Sequence, residues 1–252
     1  MISHGAKDAM EEPTVKGKFA SFPELQRRII TAIALSLAAI LIIWAGGFLF
    51  QACIIFAAIA MYQEWERLTA NFGRHWQMAG YAYVIIPCTC LILLRQMGFV
   101  QEVASGSETQ RIMWVSPFLV AFPILCVAAT DIGAYVAGKL IGGPKLAPSI
   151  SPGKTWAGLL GGIAASSILG AFIAPFSPYP QFIGTGFTVG LVLACLSQLG
   201  DLFESWLKRR AGVKDSGVIF PGHGGILDRV DGHVIAIPVF TVLAWLAGGK
   251  IL

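Results

Sequence analysis

The sequence predicts an all-α polytopic membrane protein with about seven transmembrane helices, and three observations carry that expectation. Of the 252 residues, 56% are hydrophobic and only 13% charged, with a mean hydropathy of +0.71; a soluble domain of this length needs more polar surface. Apolar segments of spanning length, about 20 residues each, recur from residue 29 to residue 250. The 29 glycines and seven tryptophans suit helices that approach one another closely and end at a lipid–water interface.

Residues 1–28 mix acids and bases without periodicity and read as a cytosolic tail. No small-residue cleavage site follows the first apolar run, which therefore reads as an uncleaved span. Spans are expected over residues 29–47, 48–64, 78–95, 113–138, 156–176, 183–207 and 233–250, the first two joined by a Gly46–Gly47 turn. The chain then divides into an N-terminal helical region, 29–112, and a C-terminal helical region, 113–252, with loops at 140–155 and 208–232. With the N-terminus in the cytoplasm, all of the 18 Lys and Arg residues except Arg95, Arg111 and Lys250 fall on the cytoplasmic side. The positive-inside rule favours that arrangement, which puts both loops in the cytoplasm and the C-terminus outside. Cys53, Cys88, Cys90, Cys126 and Cys195 lie in apolar runs without metal-ligand spacing and read as small hydrophobes. No nucleic-acid partner is expected, and no inverted repeat of the kind many transporters carry is evident.

The sixth span contains LACLSQLGDLFESWLKRR. At about 100° per residue, Ser197, Gln198, Asp201, Glu204, Ser205 and Lys208 share one helix face, with Leu199, Leu202, Phe203 and Trp206 opposite. Asp131 lies in the fourth span among small residues, in VAATDIGAYVAG. A charged side chain at bilayer depth costs about 2.5–3.5 kcal/mol, so these acids are expected to face a water-filled or metal-filled cavity. The alternative is that Asp131 and Asp201 form structural ion pairs with bases such as Lys139 or Lys208.

Asp228 and Asp231, in GGILDRVDG, point the same way on a helical turn. With Asp201 they make three carboxylates able to converge on a hard cation such as Mg²⁺, and Asp131 and Glu204 are further candidates. A solvated loop neutralised by Arg229 is the alternative. Lys208, Arg209, Arg210 and Lys214 precede the pair, and PGHGGI offers a Gly-rich turn that a phosphate oxygen can approach closely. Of the histidines, only His223 sits in such a chemical context. In APSISPGKTWAG, Gly153-Lys154-Thr155 resembles the end of a Walker A loop. Pro148 stands where the first Gly is needed and no strand is expected before it, which excludes a P-loop. Ser151 and Lys154 remain candidates for a phosphate at the start of the fifth helix, with Lys154 alternatively an interfacial anchor.

Ser205-Trp-Leu-Lys208-Arg209, Lys214-Asp215, Gly217, Pro221, His223-Gly224-Gly225, Asp228-Arg229 and Asp231 together resemble the signature of the phosphatidate cytidylyltransferases, or CDP-diacylglycerol synthases. Asp131-Ile-Gly-Ala-Tyr, Ser151-Pro-Gly-Lys-Thr-Trp and Gly200-Asp-Leu-Phe-Glu-Ser are similar to further stretches of that family. In the N-terminal half only the hydropathy and Glu64-Trp65 resemble it, and Ala157 stands where members often carry an acid.

The resemblance spans roughly residues 130–233. It implies the reaction CTP + phosphatidate → CDP-diacylglycerol + pyrophosphate in a cytoplasm-facing polar funnel of a bacterial inner-membrane protein, often a homodimer. It implies Mg²⁺ and a second, potassium-like cation, with Asp201, Asp228 and Asp231 as metal carboxylates. Lys208, Arg209 and Lys214 become phosphate clamps, with Asp215 and His223 in the same catalytic set. Ser151, Lys154, Thr155, Ser205, Gly224, Gly225 and Arg229 become substrate contacts. The rival readings are a transporter or channel using Asp131 and Asp201, against which the nearly uncharged outer loops argue, and a CTP-dependent lipid kinase.

Overall fold

A computed structural model describes residues 36–105, 109–176, 184–217 and 224–246. The expected tail, the start of the first span and His223 lie outside the described residues. Contacts within the chain separate two units, Met1–Leu41 and Ile42–Leu252, and the second holds every residue of the candidate site.

Six described helices are long and apolar enough to cross a membrane: α2 (Gly47–Thr69), α3 (Arg74–Ser105), α4 (Thr109–Leu140), α5 (Trp156–Ile173), α6 (Gly186–Arg210) and α7 (Leu227–Leu246). They make the chain an all-α integral membrane protein. A shorter apolar helix, α1 (Ser36–Ala45), occupies part of the first expected span. Gly46 and Gly47, at φ +59° and +55°, make the turn between α1 and α2, a backbone region that glycine enters without strain. Arg95 of α3 secures it, donating to the Ile43 carbonyl at 3.1 Å and the Trp44 carbonyl at 3.2 Å.

In chain order α4, α5, α6 and α7 are successive neighbours, and α3 packs against α2, α4 and α7. Small residues bring α4 and α5 together: a Cβ at Gly161 would collide with Ala137 Cβ and sit 2.9 Å from the Gly133 carbonyl oxygen. Between α5 and α6, the Ser166 hydroxyl donates to the Gly190 carbonyl at 2.8 Å. Such close approach replaces the hydrophobic drive that lipid removes. One apolar core runs through Leu94, Phe122, Leu193 and Phe240, and a second gathers Met61, Trp65, Leu68, Leu207 and Leu227 near the polar residues.

Two expectations need correction. The loop at 140–155 is not irregular throughout: β1 (Lys145–Ala147) and β2 (Ser151–Thr155) pair antiparallel, Lys145 opposite Thr155 and Ala147 opposite Ser151. The P-loop stays excluded, because Gly153-Lys154-Thr155 lies within β2 itself rather than in a loop after a strand. Thr155 ends the hairpin as the N-cap of α5, its hydroxyl accepting from the Gly158 N–H at 3.0 Å. Second, α7 begins at Leu227, not near residue 233, so the helical turn expected of Asp228 and Asp231 belongs to the last span itself rather than to the loop before it. The first N–H groups of a helix have no partner within it. Here Glu64 of α2 accepts from the N–H groups of Ile226 at 3.0 Å and Leu227 at 2.9 Å, which lets the helix start early.

Candidate active site

The polar stripe of α6 is where its angular spacing predicts, and it faces protein. Ser197, Gln198 and Glu204 are buried, and Asp201 and Lys208 are largely so. Two charged clusters grow from it.

The first joins α6 to the hairpin. Lys154 Nζ of β2 lies 2.6 Å from Asp201 Oδ2 and donates to Gln198 Oε1 at 3.1 Å. The Ser205 hydroxyl donates to Asp201 Oδ1 at 3.2 Å. Asp201 is therefore ion-paired, but with Lys154, not with the Lys139 or Lys208 that sequence spacing offers. Lys139 instead donates to the Tyr135 hydroxyl at 3.4 Å. Beside the pair lies a cavity of about 410 Å³, lined by Asp131, Lys139, Lys154, Thr155, Gln198 and Asp201 among others. Its volume falls within the usual range of small-molecule sites, about 300–1,000 Å³.

The second cluster joins α6 to α7. Lys208 Nζ lies 2.6 Å from Asp228 Oδ1 and 3.2 Å from Glu204 Oε1. The other oxygen of Asp228, Oδ2, accepts from the Ser216 N–H at 2.8 Å, the Ser216 hydroxyl at 2.8 Å and the Gly225 N–H at 2.9 Å. Gly224 has φ +79°, and a Cβ there would stand 2.7 Å from Asp228 Oδ2. The glycines expected to admit a phosphate oxygen thus admit protein carboxylates, and the Gly225 N–H is engaged. Asp231 accepts from the Gly232 N–H at 2.7 Å and lies within electrostatic range of Asp201 and Asp131. Gly200 allows the close α6–α7 contact at this level, since a Cβ would strike the Asp231 carbonyl oxygen.

The remaining bases divide. Arg209 donates to the Ile150 carbonyl at 3.2 Å and ties the hairpin turn to the end of α6. Arg210 turns to the rings of Phe72, Trp206 and Trp76, at 5.1, 5.4 and 5.7 Å. Lys214, Asp215 and Arg229 are exposed, and Ser151 is partly buried in β2. Sequence reasoning gave no role to Glu64. It is fully buried, accepts from the two N–H groups at the start of α7 and lies 3.2 Å from the Ser216 hydroxyl, whose single proton it shares with the closer Asp228 Oδ2. Its signals in the sequence are an acid at the end of an apolar span and the family resemblance of Glu64-Trp65.

Comparison with known proteins decides what this geometry serves. The model of the cytidylyltransferase family matches residues 76–247, which include every described side chain of both clusters except Glu64. The chain belongs to the cytidylyltransferase family. It is a membrane-embedded nucleotidyltransferase. It is 39% identical over 249 residues to a phosphatidate cytidylyltransferase of Brucella suis biovar 1 (strain 1330), covering 84% of this chain and 90% of that protein. A phosphatidate cytidylyltransferase of Rickettsia typhi (strain ATCC VR-144 / Wilmington) is 33% identical over 220 residues, 84% of this chain and 89% of its own. One of Synechocystis sp. (strain ATCC 27184 / PCC 6803 / Kazusa) reaches 48% over 121 residues, 47% of this chain and 41% of its own.

A metal is expected here from the sequence resemblance alone, and the donors present are of the type a hard cation takes. The side chains at hand offer carboxylate oxygens, and buried Glu204 Oε2 makes no hydrogen bond among the described residues. No three Asp, Glu, His or Cys side chains among the described residues are gathered as a metal cage. Lysine ammonium groups stand on Asp201 and Asp228 instead, neutralising the acids that a cation would otherwise neutralise.

Proposed function

We propose that the two lysine–carboxylate clusters form one active site that transfers the cytidylyl group of CTP to phosphatidate, giving CDP-diacylglycerol and pyrophosphate. The observation that carries this is that Lys154 of β2 pairs with Asp201 and Asp228 of α7 pairs with Lys208, both along the polar face of α6, with Lys154 and Asp201 lining the cavity. Bases for phosphate and acids for a cation stand within one helix length of each other.

A phosphate oxygen of phosphatidate attacks the α-phosphorus of CTP. The new bond is O–Pα; the bond that breaks is Pα–O to the β-phosphate, and its electrons leave with pyrophosphate. A phosphomonoester has a second pKa of about 6, so near pH 7 the nucleophile is already largely dianionic and needs no strong base. The barrier is charge, because two polyanions must meet. Lys154 and Lys208 would exchange carboxylate for phosphate, and exposed Arg209 and Lys214 would add further phosphate contacts. Mg²⁺, when bound to Asp201, Asp228 and Asp231 with Glu204 or Asp131 nearby, would supply further charge neutralisation for the leaving pyrophosphate. A second cation, potassium-like, belongs to the same proposal.

Burying the bases in helices that meet lipid suits a lipid substrate arriving sideways and a nucleotide arriving from water. In this reading the positive-inside bias puts the hairpin and the basic end of α6 on the cytoplasmic side of a bacterial inner membrane. The test is purified protein in phosphatidylcholine vesicles with labelled CTP. Label from the α-phosphate should enter lipid only when phosphatidate is present. Label from the γ-phosphate entering lipid would make the protein a kinase, and label entering from neither position would leave it a transporter.

A further inference from the structure

Glu64 lies on α2, ahead of the segment that carries the family's motifs. Its carboxyl group is fully buried, yet among the described residues no base pairs with it: the partners are the N–H groups of Ile226 and Leu227 and, at longer range, the Ser216 hydroxyl. A carboxylate is an acceptor only, with room for about four hydrogen bonds, so it takes both N–H groups and shares the one Ser216 hydroxyl proton with Asp228. Burying it on neutral donors is costly compared with an apolar residue. What it adds is one point that gathers donors from both ends of the connection between α6 and α7.

The same connection makes the cradle of Asp228. The Ser216 hydroxyl lies between the two acids, 3.2 Å from Glu64 Oε2 and 2.8 Å from Asp228 Oδ2. Gly225 touches both, its N–H donating to Asp228 while a Cβ would strike Glu64 Oε2. Gly217 also comes so close to the Glu64 carboxylate that a side chain would collide with it. Trp65 prevents α2 from rotating away: it is buried in the cluster that holds Leu227, and its indole donates to the Trp76 carbonyl at 2.8 Å.

We propose that Glu64 is a positioning residue for cytidylyl transfer, holding Ser216 and the Gly225–Leu227 backbone so that Asp228 meets Lys208 and the reacting phosphates in one fixed arrangement. The proposal rests on the active-site reading above. It gives the N-terminal helices a part in the chemistry, because the start of α7 is capped from α2.

The test uses the full chain in phosphatidylcholine vesicles and compares wild type with Glu64→Gln and Glu64→Asp. The Gln variant keeps size but turns an amide NH₂ toward N–H donors; the Asp variant keeps the carboxylate and shortens its reach. In Glu64→Gln, kcat should fall about 10–100-fold, the range seen when supporting partners of catalytic ligands are removed. KM for both substrates should stay within about threefold. Hydrogen exchange should rise at Gly225–Asp228 and stay unchanged in α4 and α5, and Glu64→Asp should recover part of both effects. Unchanged exchange at Gly225–Asp228, or exchange rising across all helices with kcat per folded molecule at the wild-type value, would overturn it. Should wild type make no CDP-lipid at all, the reading of the reaction fails, while the exchange data still decide whether Glu64 holds this backbone.

Discussion

Lys208 and Asp228 meet at 2.6 Å between the last turn of α6 and the first turn of α7, and each is largely buried. The contact is the hinge of the site, because Lys208 also touches Glu204 and Asp228 also anchors Ser216 and Gly225. Taking one partner from a buried pair leaves an uncompensated charge, a loss of about 3–5 kcal/mol.

Lys208→Met should therefore lower the thermal midpoint and reduce CTP-dependent turnover more than about 100-fold, since it removes a phosphate base as well as the partner of two acids. Turnover within tenfold of wild type, measured per folded molecule, would remove Lys208 from the phosphate-binding set.

Asp228→Asn is nearly isosteric. The variant should insert into the membrane and lose almost all CTP-dependent lipid product. Chelation followed by Mg²⁺ should restore wild type and leave Asp228→Asn inactive. Near-normal turnover of the purified variant would sink the metal assignment.

Lys154 and Asp201 should behave as a unit. Lys154→Met and Asp201→Asn are each expected to lower kcat/KM about 100-fold or more, and the double variant only a few-fold further, as for residues that share one interaction. Fully additive losses would show that the 2.6 Å pair has no functional coupling.

Gly161→Val tests the scaffold rather than the chemistry. Its side chain would overlap Ala137 of α4, and overpacking costs about 1–3 kcal/mol. The thermal midpoint should fall, with kcat per folded molecule unchanged. An unchanged midpoint would mean that α4 and α5 are not held at this distance.

Part of this was legible in one dimension. Hydropathy placed α4 and α5 within a few residues, because long apolar runs have one reading in a bilayer. The face shared by Ser197, Asp201, Glu204 and Lys208 followed from the angular step of a single helix. The start of α7 was not legible: Asp228, Arg229 and Asp231 lower the local hydropathy, and the groups that let a helix begin there belong to Glu64. The hairpin at β1 and β2 was missed as well, because three and five residues are too few to give a periodic signal.

The sequence by itself determined the membrane class, the polar face of α6 and the residue types of the site, since these depend on neighbours along the chain. The tertiary structure decided that Lys154, not Lys139 or Lys208, meets Asp201, that Gly225 lies against carboxylates, and that Glu64 caps α7. The Lys154–Asp201 and Glu64–Leu227 contacts join groups far apart along the chain, the latter 163 residues apart. Such hydrogen bonds form only once the helices have packed, and packing depends on shape in three dimensions rather than on any local pattern.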